Sequence, residues 1–192
     1  MAEKNGRASD VRVELVVVSA MVLAVCVGLG ASVMSRAQTT KPLGSGGPML
    51  TEAVQMLGIR QCLPAIDATA RRVTQGATRH DILIDWYRAS PNTGPVFSMI
   101  GMEFGTDSVI FNLAAVPVGQ GKCTLFAERI SATQRTCEIV ASSDLHGYSA
   151  TPLLPTITVY SSPKRPAETI SLVKLHLGCL VIRRQATFDW GE

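Results

Sequence analysis

The stretch that decides the fold is VFSMIGMEF at Val96–Phe104, followed by GTD and then by SVIFNLAAV at Ser108–Val116. Both runs are rich in the apolar and β-branched residues typical of strands. The residues between them, Gly105-Thr106-Asp107, are typical of a tight turn. The pattern predicts an antiparallel hairpin and places a sheet at the centre of the domain.

Further strands are predicted on both sides of this hairpin. Upstream, Ile82, Ile84 and Trp86 alternate with Leu83, Asp85 and Tyr87, and the loop Pro91–Pro95 separates them from the hairpin. Downstream, Gly119-Gln120-Gly121 turns the chain into a strand. The predicted downstream strands are Lys122–Ile130, Thr156–Tyr160, Thr169–Leu175 and Cys179–Phe188.

Helical signals precede each set of strands. Thr51-Glu52 begins a short amphipathic stretch, and Pro64 places the start of a second helix near Leu63, with Gly76 as its stop. Residues 135–148 fit either a short helix ended by Gly147 or a strand and loop, and we favour the helix.

The order helix, strands, helix, strands predicts an α+β domain with two or more helices on one face of an antiparallel sheet. Cys62 and Cys137 lie near the helix starts, and Cys123 and Cys179 open the last strand of each set. This arrangement suggests two similar halves, 62–130 and 135–188, each a helix with an antiparallel sheet.

The same four cysteines predict two disulfide bonds, because an even number of thiols in an oxidising compartment forms pairs. No CxxC or CxH spacing supports the rival zinc site, and four free thiols are the remaining alternative. Cys123–Cys137 is disfavoured because the strand Thr124–Ile130 leads away from Cys123. Two pairings stay open: Cys62–Cys123 with Cys137–Cys179, which we favour, or Cys62–Cys137 with Cys123–Cys179.

The oxidising compartment is inferred from Leu15–Met34, LVVVSAMVLAVCVGLGASVM, twenty residues without a charge. A helix of this length spans about 30 Å, the hydrocarbon thickness of a bilayer. Lys4, Arg7 and Arg12 precede it and favour a cytoplasmic N-terminus. We therefore expect a cytoplasmic tail at 1–14, a membrane anchor or signal segment at 15–34, a flexible tether at 35–48 and an extracytoplasmic domain at 49–192.

Ser35-Arg36-Ala37 offers small residues for signal cleavage between Ala37 and Gln38. The apolar run is longer than that of a typical signal, so a retained anchor is favoured. The expected location is the inner membrane of a bacterial-type cell, with the domain in the periplasm. If cleavage occurs, the domain is secreted.

Val13–Val18, VELVVV, followed by an apolar helix, resembles the start of a type IV pilin or pseudopilin. The resemblance covers about twenty residues and implies a pilin-like subunit that is processed near Ser9. The family has Gly where Ser9 stands, and an aromatic residue or Met where Asp10 stands. Pilin helices also continue past the membrane, whereas Pro42 and Gly44–Pro48 interrupt this one.

The sequence contains few signals of function. The net charge of +3 is scattered, so nucleic-acid binding is not expected. No nucleophile turn, phosphate loop or zinc-protease motif occurs, and no cofactor or metal is expected. Glu103, Glu128 and Arg129 are explained by cross-strand ion pairs.

The leading hypothesis is a non-enzymatic interaction or assembly module with a protein partner in the periplasm. The first alternative is an exported hydrolase or metal-dependent enzyme, which would use Asp85, Asp144, His146 or His176. A concave pocket that joins at least two of these residues would favour the enzyme, and an exposed apolar strip would favour the partner. The pilin-like subunit is the second alternative.

Overall fold

The computed structural model describes residues 48–191. The predicted tail, the segment 15–34, the pilin-like start, the cleavage site at Ala37 and Gln38 and nearly all of the tether lie outside the described residues. The helices are α1 (Met49–Met56), α2 (Leu63–Thr74) and α3 (Cys137–Asp144). The strands are β1 (Arg79–Trp86), β2 (Val96–Phe104), β3 (Asp107–Gly119), β4 (Lys122–Thr133), β5 (Ser149–Leu154), β6 (Ile157–Ser162), β7 (Arg165–Leu175) and β8 (Gly178–Trp190).

All eight strands form one antiparallel sheet in the order β1-β2-β3-β4-β8-β7-β6-β5. Each group of four consecutive strands is a meander, in which neighbours along the chain pair with one another. The two meanders join at the centre, where β4 pairs with β8 from Cys123–Trp190 at one end to Thr133–Cys179 at the other. This central pair connects residues that are distant in the sequence.

The prediction of an α+β domain is wrong, because the described residues form a mostly-β structure of eight strands and three small helices. No helix in residues 48–191 exceeds 12 residues, whereas β3 and β8 have 13 residues each. The proposed halves also lack separate sheets, since β4 and β8 hydrogen-bond into one continuous sheet. The sheet therefore dominates the structure, and the helices cover only parts of it.

Local sequence explains where the helices begin. Pro64 lies in the first turn of α2, where its missing N–H leaves no internal hydrogen bond unmade. Thr136 caps α3 by accepting a hydrogen bond from the backbone N–H of Ile139. The chain leaves α1 through Gly58, whose φ of 77° suits glycine.

The pairing register separates two faces of the sheet. On β2 and β3 the opposed pairs Ile100–Phe111 and Ser98–Leu113 are buried, and Ile100 and Phe111 share a core cluster with α1 and α2. We call this side the helix face. Sixteen buried residues form the core here, and a second cluster of seven lies under α3 against β7 and β8 on the same face.

The intervening residues point to the opposite side, which we call the open face. None of the described helices packs on it, because the helices contribute their buried residues to the two clusters of the helix face. Its residues include Phe97, Met99, Ile110, Ile130 and Ile182. The domain therefore has one covered and one uncovered sheet surface within residues 48–191.

Candidate functional site

Two disulfide bonds tie helix starts to the sheet. Cys62, just before α2, is bonded to Cys123 of β4 with a Cα–Cα distance of 5.7 Å. Cys137, the first residue of α3, is bonded to Cys179 of β8 with a Cα–Cα distance of 5.0 Å. All four cysteines are buried. The prediction of disulfide bonds is confirmed, and of the two pairings that the sequence left open the structure has the one we favoured.

The open face carries an unusual amount of apolar surface. Exposed apolar side chains on it include Leu83, Phe97, Met99 and Ile110, with 62%, 49%, 39% and 43% of their surface accessible. Others are half-buried by their neighbours in the sheet: Phe126, Ile130, Ile157, Val159, Val173, Leu180 and Ile182. Isolated apolar residues on a surface are common, but a continuous group of this kind marks an interaction site.

These side chains form a band across the sheet. Ile110 of β3 is opposite Ile130 of β4, and Ile130 is opposite Ile182 of β8, so the three isoleucines lie side by side. With strands about 4.8 Å apart and about 3.3 Å per residue, the part of the band from β2 to β6, six strands wide and six residues long, covers roughly 600 Å² in projection. Such a patch is at the upper end of what monomers expose, about 300–600 Å².

A pair of opposite charges lies at the centre of this band. Arg184 of β8 pairs with Glu128 of β4 at 3.1 Å, the cross-strand ion pair expected for Glu128. The Arg184 guanidinium also lies 5.0 Å from the centre of the Phe126 ring. Both charges at the centre of the open face are therefore paired with each other, and further charged side chains on this face include Asp81 and Asp85 on the edge strand β1.

The helix face contains the second candidate site, a cavity of about 890 Å³ that we call the central cavity. Its walls are the β2–β3 turn, the β7–β8 turn and the end of α3, and its floor includes Arg129 of β4 and Arg183 of β8. These two arginines are directly opposite in the β4–β8 ladder and point to the same face. Burial, together with the charge of Arg183, lowers the pKa of Arg129.

The four residues proposed for catalysis are not brought together. Asp85 lies on the open face, opposite Phe97, whereas Asp144 lines the central cavity. His146 and His176 do not line that cavity. Asp144 accepts a hydrogen bond of 2.7 Å from Arg135, and this bond lowers the pKa of the Asp144 carboxyl. Asp144 is therefore held in an ion pair with Arg135.

Sequence reasoning missed the two sets of residues that the fold assembles. The band on the open face depends on the pairing of β4 with β8, and no local pattern reveals that pairing. Arg129 was assigned to a cross-strand ion pair, but its opposite neighbour is Arg183, and no described carboxylate pairs with it. One sequence signal was available. Arg129 is next to Ile130, and Arg183 is next to Ile182, and neighbouring residues of a strand point to opposite faces of the sheet, so the arginines and the isoleucines must lie on different faces.

Comparison with known proteins found no relative: no family model, no curated protein and no solved structure matches the chain. Among residues 48–191, no helix is both long enough and apolar enough to cross a bilayer. The function is therefore inferred from the geometry of the open face and the central cavity.

Proposed function

We propose that this chain is a membrane-anchored extracytoplasmic assembly module that associates with a second copy of itself through the open face. The observation that carries the proposal is the apolar band centred on Ile110, Ile130 and Ile182, which no element in residues 48–191 covers. Water contact with such a surface is unfavourable, so covering it provides the free energy of association.

The size of the band favours a stable partner. Roughly 600 Å² in projection approaches the 800 Å² or so that each partner buries in an interface of standard size. A permanently apolar surface of this extent needs a partner that is always present. A second copy meets that requirement, because it is made wherever the chain is made.

The position of the band also suits a two-fold contact. In such an interface the same patch serves both partners, and the residues near the axis meet their own copies. Ile130 and Ile182 lie on β4 and β8, the two central strands of the sheet. A face-to-face contact about this centre would stack two sheets about 10 Å apart, as in β-sandwich cores.

The extracytoplasmic location is supported by two independent features. Disulfide bonds persist in oxidising compartments, and the domain has two of them. The uncharged stretch Leu15–Met34 supplies an anchor of bilayer length. A tether at 35–48 would leave the domain free to meet a neighbouring copy in the same membrane.

Self-association is tested with the full-length chain in a non-ionic detergent, by light scattering coupled to size-exclusion chromatography. Ile110→Glu places a charge in the band at a side chain that is already 43% exposed, so the monomer is expected to fold. Met56→Glu is the matched control, since Met56 lies on α1 and is 72% exposed. We expect dimers for the wild type and for Met56→Glu, and monomers for Ile110→Glu.

Circular dichroism of the three proteins checks that Ile110→Glu keeps its strand content. A monomeric wild type contradicts the proposal, and so does a dimer that persists in Ile110→Glu. In the second case the contact would lie elsewhere, for instance in the apolar N-terminal stretch. Equal weakening by Met56→Glu would contradict the assignment to the open face.

A further inference from the structure

We propose that Arg129 and Arg183 form a binding site for a small organic anion, a phosphate or carboxylate attached to an apolar body, in the central cavity. The inference is independent of the proposed self-association, because the cavity lies on the helix face, opposite the apolar band. Three features of the cavity carry it: the placement of the two arginines, the shortage of partners for them and the apolar wall beside them.

The first feature is a pair of like charges at directly opposed positions. Arg129 and Arg183 are partners in the β4–β8 ladder, and both line the cavity. Like charges at opposed positions of neighbouring strands repel each other and destabilise the sheet. Arg129 is also half-buried, which adds a desolvation cost. An anion between the two guanidinium groups would remove both penalties.

The second feature is that the available carboxylates are already engaged. Glu168 is 3.6 Å from Arg183, 3.5 Å from Arg165 and 3.2 Å from the hydroxyl of Tyr148, so one carboxylate serves three donors. Arg129 has no carboxylate partner among the described residues and is 6.0 Å from the centre of the Phe104 ring.

The two carboxylates that line the cavity are not available to Arg129 or Arg183 either. Asp144 is occupied by Arg135 at 2.7 Å, and Asp107 belongs to the β2–β3 turn at the margin of the cavity. Neither forms an ion pair with Arg129 or Arg183 among the described contacts. The two arginines therefore retain donor capacity toward a ligand.

The third feature is the size and chemistry of the cavity. Its volume of about 890 Å³ falls within the range of small-molecule sites, about 300–1,000 Å³. Val109 and Val181 are buried in its wall, and Leu177, 84% exposed, lies at the β7–β8 turn beside it. Guanidinium groups bind phosphate and carboxylate oxygens through paired hydrogen bonds, and the aliphatic wall suits an apolar body.

Phenyl phosphate is a suitable probe, because it joins an oxyanion to a compact apolar ring and stays in water. Its binding to the full-length chain in a non-ionic detergent is measured by isothermal titration calorimetry. Inorganic phosphate tests the anion alone, and phenol tests the ring alone. We expect saturable binding of phenyl phosphate, weaker binding of inorganic phosphate and none of phenol.

Arg129→Gln and Arg183→Gln are each expected to weaken phenyl phosphate binding about tenfold or more. Arg88→Gln removes the same charge from the loop after β1 and is expected to leave the Kd unchanged. Without ligand, Arg129→Gln is expected to keep or raise the melting temperature, because it relieves the repulsion with Arg183.

Several results would overturn the proposal. The first is the absence of saturable phenyl phosphate binding up to about 10 mM, a concentration far above the Kd of ordinary sites. The second is an unchanged Kd in Arg129→Gln. The third is a loss of affinity in Arg88→Gln as large as that in Arg129→Gln. Equal affinity for inorganic phosphate would refute the apolar part of the site. A large fall in the melting temperature of ligand-free Arg129→Gln would assign the arginine a structural role instead.

Discussion

Removing the Cys137–Cys179 disulfide is expected to destabilise the chain by about 4 kcal/mol, the loop-entropy value for a link between residues about 42 apart. The double variant Cys137→Ala, Cys179→Ala makes this change without leaving free thiols. The effect should be concentrated around α3, β6 and β7, because the core under α3 has only seven buried residues and two of them are these cysteines.

The free energy of unfolding is measured by urea titration of the full-length oxidised chain, followed by circular dichroism. Hydrogen exchange with mass spectrometry then shows which segments have lost stability. Peptides from α3, β6 and β7 are expected to exchange faster, while peptides from β2 and β3 keep their protection, since those strands belong to the larger core.

The matched control is Cys62→Ala with Cys123→Ala. This link joins residues 61 apart, so its loop-entropy value is also about 4 kcal/mol. Its exchange effects should appear in α1, α2 and β4 instead. Two results would refute the reasoning that the smaller core depends on its disulfide. One is a fall of less than about 1 kcal/mol in the free energy of unfolding of the Cys137→Ala, Cys179→Ala variant, and the other is a uniform loss of exchange protection over the whole sheet.

Three further changes test other parts of the structure. Ile100→Ala removes a fully buried side chain from the larger core and should cost about 2–5 kcal/mol in urea unfolding. Gly178→Ala should cost about 1–3 kcal/mol, since φ is 125° and a Cβ would clash with the carbonyl oxygen of Thr133; an unchanged midpoint would contradict this. The hydrogen bond from Lys174, the first of several causes, lowers the pKa of Glu138 to about 2, from an ordinary value of 4.5. The stability that this pair contributes is therefore present above pH 4.5 and lost as the pH falls toward 2, and Glu138→Gln should flatten the pH dependence of the urea midpoint in that range.

Local patterns were enough to place most of the elements. The hairpin at Val96–Val116 was predictable because both runs consist of strand-forming residues and the residues between them, which include a glycine, are typical of a turn. Pro64 marked the start of α2 for an equally local reason. β5 was missed because Pro152 lies within it and none of its residues is buried, so it lacks the alternation that identifies a strand.

The arrangement of the elements was not predictable in the same way. The prediction of an α+β domain failed because the helices are short and the strands form most of the described structure. The suggestion of two halves with separate sheets failed because β4 and β8 pair directly, and that contact joins segments far apart in the sequence. The same pairing brings Ile130 against Ile182 and Arg129 against Arg183. Both candidate sites therefore arise from the long-range contact that sequence periodicity does not encode.

The disulfide prediction succeeded because it used a geometric limit. A strand that leaves Cys123 can barely return to Cys137 over the few residues available, and this disfavoured one of three pairings. The structure then selects Cys62–Cys123 and Cys137–Cys179. Distance limits of this kind act between segments, so they carry information that local patterns lack.

The central claim, that a second copy covers the open face, is tested most directly by hydroxyl-radical footprinting of the full-length chain at low and high concentration. Met99, 39% exposed on the open face, reports on the contact, and Met56, 72% exposed on α1, is the internal reference. We expect Met99 oxidation to fall as the concentration rises, while Met56 oxidation stays constant. Equal oxidation of Met99 at both concentrations, in a sample that light scattering shows to be dimeric at the higher one, would contradict the account.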